Sequence, residues 1–336
     1  MKRFASIPSL ACALLALAAC SDDAVSPLSP AASAPSLNAE AAPAGTLVLF
    51  KGSVIPQDFE ARVAALGGSV TYAHAGVGFA MVDGLSTESA AQLRGISGVS
   101  DVQPDASFSL GLPQQAASAE MGAELTDAIQ SQANPATAAR FSYQWNMRSI
   151  NAPKAWAAGK LGSPNVTVAI LDTGIDYDAP DLNGLVDLSR STSFVPGDDR
   201  ITSTYFPTRN RISDYNGHGT NVATQVSSKG VALAGVTSRT TLIGVKVLGA
   251  NGSGSLGGIL SGITWAADHG AHVANMSLGG GFTKSGNGQY VSLIQRIMNY
   301  AKQKGMLVVV AAGNDSVDMD HDGNMFQTYC GTVHVI

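Results

Sequence analysis

Four compact apolar runs recur in the second half of the chain, at residues 166–171 (VTVAIL), 242–248 (LIGVKVL), 273–278 and 306–312 (MLVVVAA). Between them apolar residues return every three or four positions, at about 219–228, 256–269 and 291–304, a spacing that predicts helices. Strands that are apolar on both faces are buried on both, and their alternation with helices predicts a parallel sheet covered by helices on both faces. In such sheets the working residues sit on loops at the carboxyl ends of the strands.

An earlier stretch has a different texture. Residues 46–50 (TLVLF) predict a strand, and 56–66 predict a helix carried by Phe59, Val63 and Leu66 and closed by Gly67-Gly68. Strands are expected at 70–72, 77–82 and 99–102, with a helix over 86–93 capped by Ser86 or Thr87. The resulting β-α-β-β-α-β order is the ferredoxin-like α+β pattern, which by itself carries no function. Residues 107–142, rich in Ala, Gln, Ser and Pro, read as a linker with one frayed helix over 116–130.

Composition narrows the class. Apolar residues make up 45% of the 336 positions, charged residues 13%, and there are 37 glycines, which argues for a large buried core with many loops. The net charge of −5 and the absence of any Lys/Arg cluster exclude a nucleic-acid partner. Lys2 and Arg3 precede an apolar run at residues 10–19 that is too short to span a bilayer, the pattern of an export signal over residues 1–20. The run ends Leu17-Ala18-Ala19-Cys20, which resembles the lipobox of bacterial lipoproteins. Lipidation of Cys20 would anchor the chain to a membrane through the Ser/Ala/Pro-rich tether at 21–44, whereas an ordinary secretory signal would release it. Cys12 lies in the signal, which leaves Cys330 as the one remaining thiol.

Three polar residues follow apolar runs or open a helix. Asp172 comes directly after VTVAIL, His218 lies between two glycines at a predicted helix start, and Asn314 ends the run VVVAAGN. Taken singly they read as a helix cap, a surface-turn histidine and a turn asparagine. The helix N-terminus is expected to lower the His218 pKa and keep the imidazole neutral.

Together they resemble the subtilisin family of serine proteases. The segment from Gln144 to Trp156 looks like that family's mature N-terminal stretch, and the blocks Asp172-Thr173-Gly174, His218-Gly219-Thr220 and Ala312-Gly313-Asn314 follow in family order. The resemblance implies that Asp172 orients His218, that His218 is the general base toward a serine, and that Asn314 donates to the oxyanion. It implies two substrate-binding edges, Gly252-Ser253-Gly254 and Ser277-Leu278-Gly279, that hold an extended peptide. Residues 45–106 are then an inhibitory pro-domain and 143–336 an incomplete peptidase domain, because the family's Gly-Thr-Ser motif does not occur and the serine is expected beyond Ile336.

The chemistry so implied requires no cofactor. Asp181 aligns with a calcium ligand of relatives, although the adjoining loop at 227–236 is short. Asp318, Asp320 and Asp322, with Gly323, have the spacing of a calcium loop, but position 12 is Tyr329, and the run reads equally as a solvated acidic turn. Protein or peptide substrates and the chain's own pro-domain are the expected partners. The rival readings are a peptide-binding envelope lipoprotein without catalysis, and a metal-dependent hydrolase using Asp172 and His218.

Overall fold

A strand whose two faces are both buried organises the N-terminal part of the chain. In the computed structural model, which describes residues 45–110, 132–283, 286–312 and 325–328, this strand is β1 (Thr46–Phe50). It is followed by α1 (Phe59–Ala65), β2 (Ser69–His74), β3 (Phe79–Asp83), α2 (Thr87–Gln92) and β4 (Val99–Pro104). The antiparallel sheet has the order β2-β3-β1-β4, as the ferredoxin-like pattern requires. Ser86 caps α2, its Oγ accepting the Ser89 N–H at 3.1 Å.

The side chains of β1 alternate, as strand geometry dictates, but neither side is wet. Val48 and Phe50 enter a core with Phe59, Val63, Val82 and Leu93. Leu47 and Leu49 enter a second core that they share with the larger part of the molecule.

That larger part comprises β5 (Ser107–Ser109), α3 (Trp145–Ser149), α4 (Ala152–Ala157), β6 (Thr167–Asp172), β7 (Thr192–Ser193), α5 (Pro196–Tyr205), α6 (His218–Val226) and β8 (Thr241–Lys246). It continues through β9 (Ser253–Ser255), α7 (Leu256–Asp268), β10 (Val273–Met276), β11 (Gly280–Thr283), α8 (Gly288–Gln303), β12 (Leu307–Val310) and β13 (Met325–Thr328). Five parallel strands form the sheet β12-β10-β6-β8-β7, and β11 pairs with β13 in an antiparallel ribbon. Along β6, Ala169 and Leu171 pack toward α7 and α8, while Val168 and Ile170 pack with Ala223 of α6. Helices therefore cover both faces, and the apolar runs required it.

The two parts are joined through α7 and α8. Tyr72 Oη lies 2.8 Å from Thr264 Oγ1, His74 Nε2 lies 2.9 Å from Asp268 Oδ2, and the Tyr290 hydroxyl donates to the Pro104 carbonyl at 2.7 Å. Asp105, buried, accepts the Gly257 N–H at 2.7 Å at the start of α7.

Burial pushes the Asp105 carboxyl up from 3.8 to about 6. A carboxyl raised in the folded state stabilises the fold fully below its unfolded pKa, and that contribution is lost as pH rises through the folded value. Stability is therefore expected to fall by on the order of 1–3 kcal/mol between about pH 4 and pH 6. Asp105→Asn should flatten that slope in urea titrations across this range. An unchanged slope would assign the pH dependence to another group.

One expectation is corrected, and one segment not read from the sequence is added. Residues 107–109 are not linker but the strand β5, which pairs with β9. The segment between Asp172 and His218 contains β7 and the ten-residue helix α5, which apolar spacing did not reveal because α5 is mostly polar (PGDDRITSTY). The export signal, Cys20, the helix expected over 116–130, Asn314, the acidic loop with Asp318, Asp320 and Asp322, and Cys330 lie outside the described residues.

Candidate active site

Asp172 is the last residue of β6, the central strand of the parallel sheet, and is wholly buried. His218 is the first residue of α6, with Gly217 before it at φ +97° in the left-handed region that glycine occupies without strain. The two side chains meet, with His218 Nδ1 2.7 Å from Asp172 Oδ1. The same carboxyl oxygen accepts the Thr173 N–H at 2.7 Å. With Nδ1–H donating to Asp172, the nitrogen left to take a proton is Nε2.

The glycines of both blocks are sterically required. A Cβ on Gly219 would lie 2.2 Å from the Gly174 carbonyl oxygen and 3.1 Å from the Asp172 Cβ. Gly174, at φ +116°, would drive a Cβ to 2.4 Å from the Ile212 carbonyl oxygen. Helix α6 thus approaches the end of β6 closely enough for the short His218–Asp172 bond because Gly219 lacks a side chain, while Gly174 makes room for the 212–214 loop.

The electrostatics reverse one expectation. The hydrogen bond to Asp172 holds the His218 pKa above the usual imidazole value, with burial opposing and the charges of Asp172 and Asp214 adding to the rise. The helix N-terminus does not lower it, because a carboxylate in direct contact outweighs a partial charge spread over a helix turn.

Asp214 is a residue that sequence reasoning missed. Its Oδ1 accepts the Thr173 hydroxyl at 3.0 Å and the Asn216 and Gly217 N–H groups, each at 2.9 Å. Its Oδ2 accepts the Thr220 N–H at 2.9 Å and the Thr220 hydroxyl at 2.6 Å. One carboxylate therefore ties the turn before His218 to the first turn of α6 and to the residue after Asp172. The available signal was an Asp two residues before Asn-Gly, a side chain suited to bonding backbone N–H groups just downstream.

Gly252, Ser253 and Gly254, the edge expected to bind peptide, span the start of the half-buried β9, and a segment of the same chain lies on it. Ser107 stands opposite Ser255, Phe108 opposite Gly254 and Ser109 opposite Ser253, and the Leu110 N–H donates to the Gly252 carbonyl at 3.0 Å. The Phe108 side chain is buried in the core that contains Leu248, Leu256 and Leu278. Ser277, Leu278 and Gly279 follow β10. Leu278 is buried, and Ser277 lines an apolar groove of 440 Å³ with Val166, Val168, Val222 and Val226.

Asp181 does not fit a cation. Buried, it accepts the Val231 N–H at 2.7 Å, the Ala232 N–H at 3.1 Å, the Leu233 N–H at 3.0 Å and the Ser228 hydroxyl at 2.9 Å. Gln144, beside it, exchanges two bonds of 2.8 Å with the Ala234 backbone. The short loop thus surrounds Asp181 with positive hydrogens, which is an anion's environment. No cluster of three His, Cys, Asp or Glu side chains suited to a metal occurs among the described residues.

Comparison with known proteins places this geometry. The Subtilase family profile matches residues 163–330. Alkaline elastase YaB of Bacillus sp. (strain YaB) is 41% identical over 172 residues, which cover 51% of this chain and 39% of that protein. Subtilisin Savinase of Lederbergia lenta is 39% identical over 175 residues, covering 52% of this chain and 56% of the relative. The chain thus spans about two fifths to just over half of the length of these relatives. Among solved structures, the epidermin leader peptide processing serine protease EpiP of Staphylococcus aureus aligns over 84% of this chain and 66% of its own, with a TM-score of 0.62 and 23% identity, a likeness of fold. With the family profile matched over half of its length, across both the Asp172 and the His218 blocks, the chain belongs to the subtilase family.

Proposed function

We propose that this protein is an exported serine endopeptidase made as a zymogen, with Asp172 and His218 as two members of its triad and the nucleophilic serine beyond Ile336. The observation that carries the reading is the 2.7 Å bond between His218 and the buried Asp172 at the carboxyl end of β6. In the acyl-enzyme reaction His218 Nε2 takes the serine proton as the hydroxyl attacks the peptide carbonyl. Asp172 stabilises the imidazolium so formed, and the proton then passes to the leaving amine. Asn314 is assigned to donate to the oxyanion. Residues 45–106 act as the inhibitory pro-domain.

The β5–β9 pairing supports that assignment. Ser107–Leu110 lies on Gly252–Ser255 as an added strand, so main-chain bonds hold it irrespective of side chain. A substrate using the same edge is held the same way, and breadth toward protein substrates follows. Opposite β9, the peptide would run along Ser277, Leu278 and Gly279. The apolar groove beside Ser277 offers a bed for the helix that carries the serine. The Cys20 lipobox supports anchorage in a bacterial envelope, and release by secretion is the alternative. No cofactor is needed for this chemistry. The acidic loop with Asp318, Asp320 and Asp322 is the place proposed for a structural calcium.

The test is to read the gene past Ile336 to its stop codon, express the product, and treat it with a serine-directed phosphonylating reagent. Labelling of one serine in a Gly-Thr-Ser setting, with cleavage of a protein substrate, is the expected result. Its acid limb for kcat/KM should lie above the usual imidazole range, because neutral His218 is the active form and its pKa is raised. Asp172→Asn should move that limb down. A product that binds peptides but takes no label would turn the reading to a non-catalytic peptide-binding lipoprotein.

A further inference from the structure

The final residue of β8, Lys246, stands in register with Asp172 and has no exposed surface. Its ammonium donates to the Thr173 and Ser213 carbonyls and pairs with Asp198 Oδ2 of α5 at 3.0 Å, with the Tyr215 ring 5.4 Å away. These partners come from three separate segments: the turn after Asp172, the loop before His218, and α5. A buried ammonium requires a counter-charge, and α5 supplies it.

Asp198 has a second bond. Its Oδ2 also accepts the Ala250 N–H at 3.0 Å, while the Ala250 carbonyl accepts from Asn216 Nδ2 at 2.9 Å. Asn216 in turn receives the His218 N–H on its Oδ1 at 3.2 Å. Both backbone groups of Ala250 are therefore held, one by α5 and one by the residue two positions before His218. The loop that follows is tight, with Gly249 N–H donating to the Ser253 carbonyl and Gly252 N–H to the Gly249 carbonyl, each at 2.8 Å. What fixes Ala250 thus fixes Gly252–Gly254, the edge on which a peptide lies.

We propose that Asp198 is a positioning residue which, by holding Ala250, sets the peptide-binding edge at its working distance from His218. The inference rests on the protease reading above and adds to it a role for α5. Asp198 acts through Ala250. Its loss should weaken binding of peptides long enough to use the edge, while the chemistry at His218, governed by Asp172, continues.

The experiment compares wild type, Asp198→Ala and Asp198→Asn in the enzyme expressed to its stop codon, with active sites titrated. A peptide substrate with four residues on the acyl side is set against a single-residue ester. Asp198→Ala is expected to raise KM for the long substrate about tenfold, with the effect in KM and not in kcat, and to leave KM for the ester and the acid limb in place. Asp198→Asn, whose amide oxygen still accepts the Ala250 N–H, should recover most of the long-substrate KM. Both variants should lose thermal stability, Asp198→Ala the more, because both remove the Asp198 charge from Lys246 and only Asp198→Ala also leaves the Ala250 N–H without its acceptor. An unchanged long-substrate KM in Asp198→Ala, equal losses on both substrates, or no recovery in Asp198→Asn would overturn the proposal. A wild-type protein that neither labels nor turns over would remove the protease reading, and this inference with it.

Discussion

If the proposed reading holds, replacing His218 with alanine in the enzyme expressed to its stop codon is expected to lower kcat by about 10⁴-fold or more, with little change in KM for a long peptide. That size is the general one for a triad base. The assignment to His218 comes from its bond to Asp172. In that reading the imidazole takes the serine proton, and the wholly buried Asp172 is the acceptor that fixes its tautomer. The proposed peptide-binding edge lies elsewhere, on β9 where Ser107–Leu110 pairs, so binding and chemistry should separate in this variant. Steady-state kinetics on titrated enzyme would check it. A tenfold loss or less would show that another base takes the proton, and a matching rise in KM would show that His218 contributes to binding.

The second large effect concerns stability. Asp181→Ala would leave the N–H groups of Val231, Ala232 and Leu233 without their shared acceptor, while the Ser228 hydroxyl keeps the Leu233 carbonyl. Each orphaned buried donor costs about 1–3 kcal/mol, and the losses overlap, so the total should be about 3–5 kcal/mol. Urea unfolding with and without a chelator is the measurement. If Asp181 works by accepting these bonds, the loss is the same in both conditions. A loss that disappears under chelator would make Asp181 a metal ligand after all.

Much of the site was readable in sequence because it depends on local patterns. Asp172 directly follows an apolar run, which places it at a strand tip, and His218 opens the predicted helix α6 between glycines. The cores behind them follow from period-two burial on β6 and β1. The parts that escaped are made by long-range partners. Asp214 and Asp198 stand in a polar stretch without periodicity, and their roles exist only because Thr173, Thr220 and Ala250 come to them in space. The residues at 107–109 look like linker because Ser-Phe-Ser has no strand signature of its own, and pairing with β9 supplies the order.

The sequence by itself determined the parallel sheet with helices on both faces, the ferredoxin-like unit before it, the family, and the identities of Asp172 and His218. Apolar periodicity and glycine placement are properties of neighbours along the chain. Tertiary structure alone decided that the His218 pKa rises, because a carboxylate 46 positions away makes direct contact with the imidazole. It likewise decided that Asp181 accepts backbone hydrogens, that α5 reaches Ala250 through Asp198, and that the chain's own residues 107–110 lie along β9. Each of these turns on the distance between polar atoms far apart in sequence, and hydrogen-bond and charge energies over a few ångströms depend on that distance and not on spacing along the chain.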